Sequence, residues 1–322
     1  MRRYLAVIVT GLLIVTGTLA FGPRPDRDET VHFDPKSIGQ DIDAWLRESE
    51  AKFTDIKPGA QKQIVWADPE NRTRTPLAIV YVHGFSATRM EIEPVTSNVA
   101  RAMGANVYFM RLTGHGRDGA AMAEASFNAW IDDIAEAIAI GERIGERVLL
   151  IGTSTGGTLA TWAASRPELA ARMAGIVMIS PNYAVRGVSI GLLNMPWSEY
   201  LLPMVFGETR SFTPHNEQHG KWWTTSYPSK AVFAMGAMLL TVSEIDCSKI
   251  AVPALFIYSP QDKVVVPEAA MKVYGAWGGR KQIVAVNEAG DPSNHVIAGD
   301  ILSPGNTEFV TGKVLEFIRN GI

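Results

Sequence analysis

Val148-Leu-Leu-Ile-Gly-Thr-Ser-Thr-Gly-Gly-Thr-Leu-Ala160 is the stretch that decides the fold of this chain. Val148 to Ile151 read as a buried strand. Gly152-Thr153-Ser154-Thr155-Gly156 follows at once, and an alanine-rich helical run begins behind it. This is a G-x-S-x-G pattern set between a strand and a helix. So sharp a turn crowds the side chain at its tip, and glycines two residues before and two after the serine leave room for it. Ser154 is then expected above the sheet at a helix N-terminus, with the backbone N–H of Thr155 aimed at any oxyanion formed there.

A serine nucleophile needs a base to take its proton, and that base needs a partner to fix its tautomer. In this strand–turn–helix context the partners follow in the order Ser, Asp or Glu, His, at the carboxyl ends of strands. Two later apolar runs, Ala254–Tyr258 and Gln282–Val286, read as strands. Asp262 lies on a turn four residues past the first. His295 is the only histidine C-terminal to the second, which makes it the base by elimination. Asp291 and Asp300 are rival carboxylates, close to His295 in sequence but following no new strand. Asn182, after the strand Ile176–Ser180, cannot supply a carboxylate. His83-Gly84-Phe85-Ser86 follows the apolar run Leu77–Val82, and the N–H of Phe85 is the expected second oxyanion donor. His83 reads as a residue that holds this loop, with contact to substrate as the alternative. His115 reads as a loop histidine near the site.

Strands that alternate with helices, the helix Asn128–Arg143 among them, give an α/β fold with a mostly parallel sheet covered on both faces. About seventy residues between Ser180 and Pro253 break the alternation without a convincing strand. They carry Trp197, Trp222, Trp223, Phe206, Phe212, Phe233 and Tyr227, and Met195, Met204, Met235 and Met238. That aromatic content is too high for disorder, so residues 183–250 are expected to form a lid. Trp222, Trp223, Phe206 and Met235 are its candidate substrate-facing residues. The core is then 62–182 with 251–322, preceded by a linker and accessory helix at 23–61.

With 322 residues, 47% of them hydrophobic and 20% charged, the chain suits one α/β domain with an insertion. A net charge of −3 and no long basic run argue against nucleic acid as a partner. Cys247 is the only cysteine, which excludes an intrachain disulfide and a cysteine-ligated metal. The six histidines show no metal-ligand spacing, so neither metal nor cofactor is expected. Arg2-Arg3 precede an apolar run from Tyr4 to Phe21, closed by Gly22-Pro23-Arg24-Pro25. Its length falls between a signal-peptide core of about 7–15 residues and a spanning helix of roughly 17–25. Residues 1–22 are therefore expected to be an uncleaved anchor or a cleaved signal. In the first case residues 4–21 associate with the membrane and the rest faces the extracytoplasmic side; in the second the protein is secreted or periplasmic.

Taken together, His83-Gly84-Phe85, Arg111-Leu-Thr-Gly-His-Gly116, Gly152-Thr-Ser-Thr-Gly156, Asp262 and His295 resemble the α/β-hydrolase family. The resemblance runs over about residues 62–320. It is strongest to the monoacylglycerol-lipase and carboxylesterase group, often labelled serine aminopeptidase S33-like. It implies an eight-stranded sheet, a helical lid after the sixth strand, and hydrolysis through an acyl-serine intermediate. There are two departures: Thr153 and Thr155 flank the serine where relatives often carry larger residues, and an unusual Asp-Pro-Ser-Asn precedes His295. The expected substrate is a small or lipid-like carboxylic ester, such as a monoacylglycerol or another short-to-medium acyl ester. A peptidase, an amidase or an acyltransferase would use the same triad, and a non-catalytic binding protein is the reading from another class.

Overall fold

The computed structural model describes residues 20–322, together with Tyr4, residues 9–11 and residues 16–18. The expected anchor or signal, residues 1–22, thus lies partly outside the described residues. Among those described, no helix is long and apolar enough to cross a membrane.

The central sheet has seven strands: β1 (Gln63–Val65), β2 (Thr75–Val82), β3 (Asn106–Phe109), β4 (Gly145–Thr153), β5 (Met173–Ile179), β8 (Ala254–Tyr258) and β9 (Lys281–Ala285). Their spatial order is β1-β3-β2-β4-β5-β8-β9, parallel throughout except for β1 against β3. The inner strands are the continuous apolar runs of the sequence, because both of their faces are covered. Ala78, Val80, Val148, Leu150, Ile176, Met178 and Phe256 face one layer, which includes α3 (Phe127–Ile144) and α4 (Thr155–Ala164). Ile79, Tyr81, Leu149, Ile151, Val177 and Leu255 face the other, built on α2 (Val95–Met103) and α10 (Thr307–Arg319). The period of two along each strand sends alternate side chains into separate cores.

Seven strands are one fewer than the resemblance implies. An eighth would precede β1, but residues 23–62 form an extended arm and the helix α1 (Ile42–Glu50). Ile42 and Leu46, four apart on α1, bury their side chains in the core together with Ile38. The end of α1 is held by charge. Glu50 meets buried Arg111 through two bonds, Nη2 to Oε1 at 2.7 Å and Nε to Oε2 at 3.0 Å. The same guanidinium donates to the His115 carbonyl at 3.1 Å. Lys62 reaches Glu136 of α3 at 2.6 Å.

The segment between β5 and β8 is mainly helical, with α5 (Ile190–Leu193), α6 (Ser198–Phe206), α7 (Glu217–Trp222) and α8 (Ala231–Ser243). It also holds a short antiparallel ribbon that the sequence does not announce, β6 (Thr209–Ser211) with β7 (Ser226–Pro228). These three-residue strands are too short to carry a period. One further helix, α9 (Pro267–Ala276), joins β8 to β9. Between β2 and β3 the chain forms a 3₁₀ turn at Arg89–Glu91 followed by α2, because Pro94 cannot continue a helix through its position.

Candidate active site

Ser154 occupies the turn between β4 and α4 with φ 52° and ψ −116°, a conformation outside the usual wells for a residue with a Cβ. Such strain costs on the order of 1–3 kcal/mol and persists only where the surroundings over-determine it. The constraints here are visible. The Ser154 N–H donates to the Ile179 carbonyl at 2.9 Å, and the Ser154 carbonyl accepts from Gly157, Thr158 and Asn182. A Cβ at Gly152 would lie 2.5 Å from the Gly156 carbonyl oxygen, and one at Gly156 would lie 2.0 Å from that of Val82. Only glycines allow α4 to start this close to the end of β2.

That approach sets the start of α4 beside the loop His83-Gly84-Phe85-Ser86. The N–H groups of Phe85 and Thr155 find no backbone or side-chain acceptor among the described residues. His83 braces the loop. Its Nε2 accepts from the Leu112 N–H at 3.1 Å, so Nδ1 carries the proton and donates to the Gly84 carbonyl at 2.9 Å. Burial pushes its pKa down to about 4, so the ring is neutral. Both ring nitrogens are thus taken up within the protein. The Phe85 ring packs edge-on against His115, Trp130 and Tyr227.

Asp262 and His295 come from the loops after β8 and β9. His295 Nδ1 lies 2.8 Å from Asp262 Oδ2. Asp262 Oδ1 accepts from the N–H groups of Val264 and Val265 at 2.8 and 2.9 Å, which fixes the carboxylate in its turn. The rival Asp291 serves the backbone instead: it takes the N–H groups of Ser293, His295 and Val296 and so shapes the loop that carries His295. Lys263 ties the two loops, its N–H donating to the Ser293 carbonyl at 2.8 Å. Burial alone would lower the pKa of His295. The Asp262 carboxylate on Nδ1, helped by Asp291 and Glu91, outweighs burial and raises it. The Ser154 hydroxyl makes no hydrogen bond among the described residues, which is common before substrate tightens a site.

The insertion meets the site in two places. Trp222 and Trp223 pack with Ala87, Val296 and Leu302, between the loop after β2 and the loop of His295. The Thr224 N–H donates to the Ser86 carbonyl at 2.7 Å. Met235 receives the Asn182 side-chain amide at 3.4 Å, and the Asn182 N–H in turn bonds the Ser154 carbonyl at 3.1 Å. Phe206 is elsewhere. It is 58% exposed at the end of α6, in a shallow groove with Leu192, Leu202, Arg210 and Phe233.

Sequence reading passed over Glu91. It is buried among Tyr81, Gly84 and Ser154. The signal was Pro94: it bars a helix through this segment, so an acid just before it belongs to the loop that follows β2.

Three likenesses accompany this geometry. A thermostable monoacylglycerol lipase from Bacillus sp. (strain H-257) is 25% identical over 253 residues, covering 78% of this chain and 94% of that one. A solved structure from work on two metagenome-derived lipolytic enzymes, LipS and LipT, superposes with a TM-score of 0.65 at 24% identity, over 82% of this chain and 99% of its own. The monoacylglycerol lipase of Paleococcus ferrophilus superposes with a TM-score of 0.59 at 15% identity, over 81% and 99%. The two structures share the fold. The sequence pattern described as serine aminopeptidase, S33, matches residues 74–290, more than half of the chain. The chain therefore belongs to the serine aminopeptidase S33 family, within the monoacylglycerol-lipase and esterase branch of the α/β-hydrolases.

Proposed function

We propose that this protein hydrolyses carboxylic esters of short-to-medium acyl chains, monoacylglycerols among them, through an acyl-serine intermediate. Ser154 Oγ attacks the ester carbonyl while His295 Nε2 takes its proton. Asp262 holds His295 in the Nδ1–H tautomer and stabilises the cation that forms. The N–H groups of Phe85 and Thr155 receive the oxyanion, where removing one such donor costs about 2.7–4 kcal/mol in other hydrolases. The C–O bond to the alcohol breaks as His295 returns the proton to the leaving oxygen. Water, deprotonated by the same ring, then attacks the acyl-serine and frees the acid.

The observation that carries this reading is the 2.8 Å contact between His295 and Asp262, on loops that end neighbouring strands, together with a serine held in a strained turn at the end of β4. The likeness to the Bacillus lipase favours an ester. The family description favours an amide or peptide as the second reading. Residues 183–250 serve as the lid, with Trp222, Trp223 and Met235 as its acyl-facing part. Residues 4–21 after Arg2-Arg3 direct export, as an anchor or a cleaved signal, and the N-terminus of the mature chain distinguishes the two.

The test is a panel of p-nitrophenyl esters of rising chain length run beside aminoacyl anilides. Esters turned over far faster than anilides support the ester reading. The reverse order assigns the protein to the peptidases. No turnover of either, with a folded protein, overturns both.

A further inference from the structure

Glu91 is a buried acid that none of the steps above uses. It ends the 3₁₀ turn Arg89–Glu91 and is 3% exposed. Its Oε1 accepts from the Gly84 N–H and from the Tyr81 hydroxyl, the latter at 2.8 Å. The Tyr81 oxygen lies 3.1 Å from the Thr153 hydroxyl. Tyr81 has one proton to give, and with it on Glu91 the Thr153 hydroxyl donates to Tyr81. The other carboxyl oxygen lies against Gly84, where a Cβ would sit 2.9 Å from Glu91 Oε2 and 3.2 Å from Ser154 Cβ. One carboxyl group thus joins the residue before Phe85, the residue before Ser154 and the end of β2.

A buried carboxyl is costly unless its bonds are met. This one sits at the junction where both expected oxyanion donors take their direction, with no cation among the described residues bonded to it. Building on the Ser154–His295 pair proposed above, we propose that Glu91 is a positioning residue of the hydrolysis, whose carboxyl fastens the Gly84 amide to Tyr81 and so fixes where the Phe85 N–H points. Its charge also bears on His295. Burial drives the Glu91 pKa up to about 7, against the pull of the Gly84 and Tyr81 bonds and of His295, and Glu91 in turn helps hold the His295 cation. The ionisable groups around the pair are Tyr81 on β2, Glu93 and Arg89 on Glu91's own segment, and Asp262 and Asp291 on the loops against His295.

The experiment compares the full-length chain with Glu91→Ala, Glu91→Gln and Ser154→Ala, reading kcat, KM, the pH profile on one p-nitrophenyl ester, melting, and labelling by a fluorophosphonate. Glu91→Ala removes the acceptor of the Gly84 amide. A displacement of about 1 Å in a catalytic group costs on the order of 100-fold, so kcat is expected to fall by about 10- to 100-fold with KM little moved. In Glu91→Gln the amide oxygen still accepts from Gly84 and Tyr81, so most of that loss is recovered. Because a negative neighbour of His295 is gone, the acid limb of its profile shifts to lower pH. A purely structural role moves melting but leaves that limb in place. Glu91→Ala with wild-type kcat overturns the proposal. If Glu91→Ala does not fold, a Glu91→Gln profile that superposes on wild type overturns it alone. Labelling that survives in Ser154→Ala instead refutes the assignment of the nucleophile, whatever Glu91 does.

Discussion

Replacing Asp262 by asparagine tests the orientation of the base with almost no change of shape. Asp262 Oδ1 is held by the N–H groups of Val264 and Val265 at 2.8 and 2.9 Å. An asparagine keeps both bonds only by leaving its oxygen there, which turns its NH₂ toward His295 Nδ1. A donor facing Nδ1 forces that nitrogen to accept, and the ring proton moves to Nε2, where the proton of Ser154 has to go. In a chymotrypsin-type enzyme the same change costs about 10⁴-fold in kcat, which is about 5.4 kcal/mol of transition-state stabilisation. We expect a loss of 10²- to 10⁴-fold, on the order of that case, on p-nitrophenyl butyrate. The fold should survive, since the lost charge-assisted bond is worth only about 1.5–3 kcal/mol. That difference also has a pH sign. The pKa of His295 is raised in the folded protein, so the attraction is fully present below the ordinary histidine value of about 6.5 and is lost as pH rises through the folded value. Wild type and variant should therefore melt furthest apart below the ordinary histidine value and converge as pH rises through the raised one. Activity retained within tenfold would refute this orientation. So would an Asp291→Asn variant that melts normally yet loses as much, because Asp291 bonds the loop backbone and not the ring.

Other expectations follow from the same geometry. Ser154→Ala should lose ester turnover and fluorophosphonate labelling while melting as wild type does, since its backbone bonds to Ile179 and Asn182 are untouched. Glu91 has a folded pKa of about 7 against an ordinary 4.5, so the folded state binds a proton that the unfolded state releases. Wild type should lose on the order of 3 kcal/mol as pH rises through that window, and Glu91→Gln should not; equal pH slopes in denaturant titrations would refute it. Trp222→Ala and Trp223→Ala should each destabilise by about 3–5 kcal/mol, because both fill one cluster with Ala87, Val296 and Leu302. Loss of melting temperature with an unchanged chain-length preference would show that the tryptophan only fills this cluster and does not face the acyl group. Phe206→Ala, at an exposed site, should shift melting by no more than about 0.5 kcal/mol and leave the ester profile as it was.

The inner strands were legible because a strand buried on both faces must be apolar throughout. β2, β4, β5 and β8 carry such runs within three residues of their ends. The turn at Ser154 was legible because its glycines answer a local demand, the approach of Gly156 to Val82. Asp262 and His295 could be named because chain order and strand ends leave few candidates. The eighth strand was expected from resemblance alone, and the arm before β1 packs by a helix instead. The ribbon in the insertion escaped notice because three-residue strands show no alternation. Glu91 was missed for a different reason: its role depends on which groups surround it after folding, and spacing does not encode that. His83 stands between these cases. Its place in the loop was readable, but its tautomer needed the Leu112 N–H.

The pairing of Glu50 with Arg111 sets where the folding unit begins. The family pattern starts at residue 74, and a chain trimmed to that boundary would discard α1, β1 and Glu50 together. Arg111 would stay in the core without its counter-charge, a loss of about 3–5 kcal/mol by itself. The apolar surface under Ile38, Ile42 and Leu46 would be laid open as well. Against a typical stability of about 5–15 kcal/mol, that deficit is enough to unfold the protein. Shuffling this enzyme with its relatives should therefore place the crossover ahead of residue 35, so that the arm travels with the arginine it neutralises.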